Sequence, residues 1–228
     1  MSKLIEQIDK AQCLILDKRY IEWISTTQLS FINKGINLIP FIAGNGKNID
    51  LDYNHIDLIE SPPITKFTTK ELTSWRKYPN AYNAYLCHKK MIEQALLEKR
   101  KNLLIVEDDA FIENDFDEIL EEAESFLLQS KWDMIYFGAY HKNTSSPMAN
   151  NYVRQVNGSA GFHCVLIHNR IFDLMLEYGP IGPMDEVCNK FIHQTHKCYA
   201  IYPSIVTQKS GYSYIEHSQL EKPSRWEL

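Results

Sequence analysis

Short apolar runs alternate along this chain with longer stretches of helical periodicity, and that alternation limits the fold more than any other feature. Cys13–Leu16 reads as a buried strand. Between Arg19 and Asn33, apolar residues recur at Ile21, Ile24, Leu29 and Ile32, close to helical spacing, and Gly35 is placed to end that helix. Asn37–Ala43 reads as a second strand, closed by Gly44-Asn45-Gly46. A strand–helix–strand unit is the building block of a parallel sheet. The pattern continues with a helix over Ala81–Lys99, whose stripe carries Tyr82, Tyr85, Leu86, Ile92, Ala95 and Leu96. A strand at Leu103–Val106 and an acidic amphipathic helix at Phe116–Leu128 follow. Next come strands at Asp133–Phe137 and Phe162–Ile167, helices at Ile171–Glu177 and Asp185–His196, and a last strand at Cys198–Tyr202. The expected fold is α/β, a single domain over residues 1–228 with a mostly parallel central sheet and helices on both faces. Its tail, from about residue 203 to 228, is polar and aromatic and reads as irregular. Residues 44–78 follow neither period, and a stretch of that length is expected to be functional or mobile, a lid closing over a ligand being one hypothesis.

Composition narrows the class. With 44% hydrophobic residues among 228, one sizeable core is within reach. The formal net charge of -5, without a basic stripe, argues against a nucleic-acid partner. No run approaches the length of a membrane helix, so no transmembrane segment is expected, and Met1–Gln12 lacks the apolar centre of a signal peptide. The 5 cysteines include no CxxC pair, which suggests neither a disulfide framework nor a cysteine zinc site. A reducing, cytoplasmic setting is the simpler expectation.

The segment richest in chemistry is Leu103-Leu104-Ile105-Val106-Glu107-Asp108-Asp109. In open α/β sheets, ligands bind at the carboxyl ends of strands, and here three carboxylates follow a buried strand at once. Two like charges about 4 Å apart repel by roughly 4 kcal/mol at an effective dielectric near 20. A divalent cation turns that cost into binding, and hard cations such as Mn²⁺ or Mg²⁺ prefer oxygen ligands. Residues i and i+2 of an extended segment share a side, so Glu107 and Asp109 can face one metal together, with Asp108 pointing away or toward a nucleotide ribose. The plainer alternative is that these acids open the charged helix that follows, whose run through Glu124 is a solvated face.

The order of several segments resembles glycosyltransferase family 25, the lipooligosaccharide and procollagen galactosyltransferase group. Leu14-Ile15-Leu16-Asp17-Lys18-Arg19 resembles its opening strand and basic donor-binding turn, and Phe41-Ile42-Ala43-Gly44 the end of its second strand. Ala84-Tyr85-Leu86-Cys87-His88 looks like its "GCxxSH" helix, and Leu104-Ile105-Val106-Glu107-Asp108-Asp109-Ala110 like its "LxLEDD" metal motif. Trp132-Asp133-Met134-Ile135-Tyr136-Phe137-Gly138 is similar to "WDxxxLG", and Pro183-Met184-Asp185-Glu186-Val187 to "PVDE". Tyr202-Pro203-Ser204-Ile205-Val206 with Gly211-Tyr212-Ser213 resembles the end of the procollagen branch. The resemblance implies a GT-A-like fold and inverting, metal-dependent transfer of galactose or glucose from a UDP-sugar to a glycan or hydroxylated side chain. Lipopolysaccharide biosynthesis is one setting it suggests.

Site residues follow from that resemblance, each beside a plainer reading. Glu107 and Asp109 would hold Mn²⁺ or Mg²⁺, with His217 supplying a third ligand from the tail. Asp17, Arg19, His88 and Asp108 would contact the nucleotide-sugar. Otherwise Asp17 and Arg19 are helix-start polarity, and His88, on the apolar stripe of its helix, is a core histidine. Asp185 would deprotonate the acceptor hydroxyl, with Glu186 as substitute; without the resemblance both are helix-capping acids. His193 and His196 read as surface residues, and Cys87 and Cys188 as small core fillers. The family's glycines before the His88 helix are replaced by Tyr82-Asn83-Ala84. That departure motivates the alternative, a non-catalytic nucleotide-sugar or glycan-binding module. Oligomeric state is not legible.

Overall fold

The computed structural model describes residues 2–16, 19–43, 79–141, 148–178, 182–213 and 218–220. The chain begins with strand β1 (Lys10–Leu16), helix α1 (Tyr20–Trp23), a π-helical stretch Ile24–Gln28, helix α2 (Leu29–Ile32) and strand β2 (Ile39–Ala43). Helix α3 (Pro79–Leu97), strands β3 (Asn102–Glu107) and β4 (Ala110–Ile112), helix α4 (Phe116–Gln129) and strand β5 (Met134–His141) come next. Two short strands, β6 (Met148–Asn150) and β7 (Val153–Gln155), precede the long β8 (Ser159–His168) and helix α5 (Phe172–Glu177). Helix α6 (Met184–Val187) runs on as a π-helical stretch, Cys188–Ile192, into β9 (Cys198–Ile201). Strands β10 (Val206–Gln208), β11 (Gly211–Ser213) and β12 (Ser218–Leu220) end the described chain.

The central sheet has 8 strands in the order β2-β1-β3-β8-β5-β9-β7-β6. Its pairings make β2, β1, β3, β5, β9 and β6 run one way, and β8 and β7 the other. The sheet is therefore mixed but mostly parallel, with helices on both faces, as the alternation of strands and helices predicts. Along β1 and β3 successive residues go to opposite cores. Leu14, Leu103 and Ile105 pack with α3, α5 and α6, while Cys13, Ile15, Leu104 and Val106 pack with α1, α2 and α4. A strand covered on both faces needs apolar residues at nearly every position, which is why these runs read as continuous rather than alternating. In α4, Phe116, Ile119, Leu120, Ala123 and Leu127 form the buried stripe, and the acids Asp117, Glu118, Glu121 and Glu122 are exposed as the sequence predicts.

Strand β8 decides where the site lies. It pairs antiparallel with both β3 and β5, so its N-terminal half lies at the sheet edge where β3 and β5 end. The β5–β8 register shifts twice, between Tyr136 and Gly138 and between Gly138 and Tyr140. Gly161, in β8 at the same level, has φ 80°. Bulges of this kind re-aim side chains at the rims of sheets.

Three expectations need correction. The apolar residues that mark the first helix, Ile21, Ile24, Leu29 and Ile32, are exposed, and its buried face is Trp23, Thr27 and Phe31. The residues after 203 are not wholly irregular: β10 pairs antiparallel with β4, and β11 with β12. A strand as short as Val206–Gln208 is formed by its partner rather than by its own pattern. His193 is not a surface residue but 1% exposed, bonded through Nε2 to Tyr136 Oη at 2.7 Å and through Nδ1 to Asn189 Oδ1 at 3.1 Å. The π-helical turn rotates it inward. Residues 44–78, Asp17 and His217 lie outside the described residues.

Candidate functional site

Glu107 is the last residue of β3, Asp108 and Asp109 form the turn, and Ala110 opens β4. Strand β10, laid antiparallel on β4, places Gln208 opposite Ala110. The Gln208 amide Nε2 then donates to Glu107 Oε2 at 3.2 Å and to Asp109 Oδ1 at 3.3 Å. The backbone N–H of Lys209 donates to the Asp109 carbonyl at 2.9 Å, fixing the turn. Both carboxylates therefore converge on one point, as the i, i+2 spacing predicts. Gln208 itself was not legible, since it lies in a stretch that reads as tail.

Asp108 faces the other way. Its Oδ2 accepts from the Leu16 N–H at 3.0 Å and its Oδ1 from Arg19 Nη1 at 2.9 Å. The turn is thereby tied to the end of β1, and Arg19 is held 3.9 Å from Asp109 Oδ2. Thr27 adds a further tie, its hydroxyl lying 2.9 Å from the Asp108 carbonyl and 3.2 Å from that of Ala110.

The side chains of Glu107 and Asp109 are 22% and 29% exposed. Burial, then the charges of Asp109, Asp185 and Asp108, raises the Glu107 carboxyl well above the usual range. Burial and the Asp108 charge push Asp109 up to about 6, against the opposing pull of Arg19 and Gln208. Among the described residues, no group of three or more His, Cys, Asp or Glu side chains is gathered to hold a metal ion.

His88, on the inner face of α3, is 3% exposed, and neither ring nitrogen has a partner among the described residues. Its Nε2 lies 3.9 Å from Glu107 Oε1 and its ring packs 5.1 Å from that of Phe162. Burial lowers its pKa to about 4, so the imidazole is neutral. It is a core histidine and a neighbour of the site at once.

Asp185 stands in the first turn of α6, half-buried, and its Oδ2 accepts from the Gly161 N–H at 2.8 Å. Its charge reaches Glu107, whereas Glu186 is exposed. Tyr140, near the end of β5, completes the edge. Its Oη is buried without a partner among the described residues, and its ring packs 5.2 Å from that of His163. Burial, then the charges of Asp109 and Glu107, raises the phenol pKa. Sequence reading stops this strand at Phe137 and so misses Tyr140.

No protein-family model and no curated protein matches this sequence. Solved structures with a related outline include a UDP-glucose pyrophosphorylase complexed with UDP-glucose, at TM-score 0.47 and 10% identity over 85% of this chain and 90% of that one. A glycosyltransferase involved in glycosylation of the major capsid of PBCV-1 has TM-score 0.43 and 11% identity over 91% and 96%. An inositol-1-phosphate CTP transferase from T. maritima has 0.45 and 9% over 86% and 85%. Likeness at this level carries no residue-by-residue correspondence, and the architecture rests on the strand pairings above. No helix among the described residues is long and apolar enough to cross a membrane.

Proposed function

We propose that this protein transfers a hexose, galactose or glucose, from a UDP-sugar to a hydroxyl of a glycan or hydroxylated side chain, with inversion and with a divalent cation. The observation that carries the proposal is the convergence of Glu107 and Asp109 on one point at the carboxyl edge of β3, with Asp108 turned away onto Arg19. The ordered segments resembling family 25, which include these same acids, agree with it.

The donor set fits Mn²⁺ or Mg²⁺. Glu107 and Asp109 are hard oxygen ligands whose mutual repulsion a cation relieves. Among the described residues no third side chain joins Glu107 and Asp109 in a ligand group, which would suit an ion completed by substrate phosphates and water. When bound, such an ion neutralises the diphosphate as the sugar–phosphate bond breaks.

The chain's own residues supply the rest. Arg19, oriented by Asp108, presents positive charge to the nucleotide diphosphate. Asp185, oriented by the Gly161 N–H, accepts the proton of the acceptor hydroxyl. The acceptor oxygen bonds to the anomeric carbon as the bond from that carbon to the phosphate oxygen breaks on the opposite face, and UDP departs.

Calorimetric titration of UDP with and without Mn²⁺, on the native chain and on Asp109→Ala, tests this reading. Binding that needs Mn²⁺ and is lost in Asp109→Ala is the expected result. Binding that is absent throughout, or indifferent to both changes, overturns it.

A further inference from the structure

We infer that Tyr140 contacts the transferred sugar through its phenol hydroxyl and sets which hexose is accepted, an assignment that rests on the transferase reading above. The hydroxyl is buried and has no partner among the described residues. A buried polar group left unpaired costs about 1 to 3 kcal/mol, so one retained beside a site marks a place where a ligand completes the bonding.

Its position agrees. Strand β8 separates β3 from β5, and Tyr140 pairs with Ala160 at the edge where Glu107 ends β3. Between them is Gly161, whose N–H holds Asp185. Tyr140 thus stands across Gly161 from the carboxylate pair, near enough for the charges of Asp109 and Glu107 to act on its phenol. A sugar joined to a diphosphate at Glu107 and Asp109 would have its ring hydroxyls beside this phenol.

The local backbone is built around this placement. Two register shifts flank Gly138 and turn the end of β5 out of the regular ladder. Gly161 has φ 80°, and a Cβ there would stand 2.9 Å from His163 Nδ1 and 3.6 Å from Tyr140 Cδ2. The missing side chain lets the His163 ring, itself 1% exposed, lie against Tyr140 and fix its direction.

The experiment compares native protein and Tyr140→Phe in calorimetry with Mn²⁺, titrating UDP, UDP-glucose and UDP-galactose, alongside melting of the unliganded proteins. Tyr140→Phe is expected to bind UDP within about twofold of native and to bind the preferred UDP-hexose about 5- to 20-fold more weakly, the loss of one buried hydrogen bond. Its unliganded melting temperature should equal or exceed that of the native chain. Equal losses for UDP and UDP-hexose, or no loss for either, overturn the assignment while leaving the transferase reading in place. Failure of the native chain to bind any of the three removes the transferase reading, and the assignment with it.

Discussion

Asp109 is a carboxylate in an environment that resists its charge. Burial and the neighbouring Asp108 push it up to about 6, and the nearest cation, Arg19, is engaged at shorter range by Asp108. A residue kept for stability would have the opposite profile, with a lowered pKa and a full partner. Asp109→Asn retains the oxygen that accepts from Gln208 Nε2 and removes the charge. At pH 7.5 without metal, the variant is expected to be more stable than the native chain by about 1 kcal/mol or more. Its Mn²⁺-dependent UDP binding should fall at least about tenfold, the loss of one charged ligand. Chemical denaturation beside calorimetry reads both, and a destabilised variant would make Asp109 a structural group instead. The Glu107–Asp109 pair was legible because its logic is local, two acids at i and i+2 after a buried strand. Gln208 and Tyr140 were not, because what makes them matter is a neighbour far along the chain.

At the scale of elements, the second sheet strand laid over the turn is what gives the site its shape. Strand β10 reaches β4 across the middle of β5, where the Ile205 N–H donates to the Phe137 carbonyl at 3.1 Å. Gly138 makes that crossing possible: a Cβ there would stand 2.1 Å from the Val206 carbonyl oxygen. That atom is backbone and cannot step aside alone. Gly138→Ala is expected to cost about 1 to 3 kcal/mol or more and to weaken Mn²⁺-dependent UDP binding, since β10 carries Gln208. Gly158→Ala, where the nearest atom is 4.0 Å away, should change neither, and equal behaviour of the two in urea denaturation and calorimetry would refute this account. The long elements were readable because their apolar faces are continuous. Strand ends were missed where polar side chains are buried by specific bonds. Lys10, at the start of β1, bonds Glu98 at 2.7 Å, and Gln12 bonds Gln94 at 3.1 Å. Strands β6, β7 and β10 carry no pattern of their own, and pairing alone defines them.

Across the whole molecule, acid response follows from what the core encloses. His88, His141, His163 and His193 are all buried, and burial lowers them to about 4, 3, 3 and 4. Below about pH 6.5 the unfolded chain takes up protons on these imidazoles that the folded chain refuses, so stability falls as pH falls, by at most about 1.4 kcal/mol per unit for each. Glu107 and Asp109 work in the opposite sense. Their folded pKa values are raised, so the folded chain holds their protons where the unfolded chain has released them, and stability gains as pH falls through that window. The imidazoles outnumber the carboxylates, and urea midpoints should decline from pH 7 to pH 5. Saturating Mn²⁺ is expected to raise stability at pH 7 and to make the decline steeper, because carboxylates held ionised by a cation no longer gain from acid and the cation must compete with protons. A decline that is unchanged or shallower with Mn²⁺ would separate the raised carboxylates from metal binding and leave them as an acidic cluster alone.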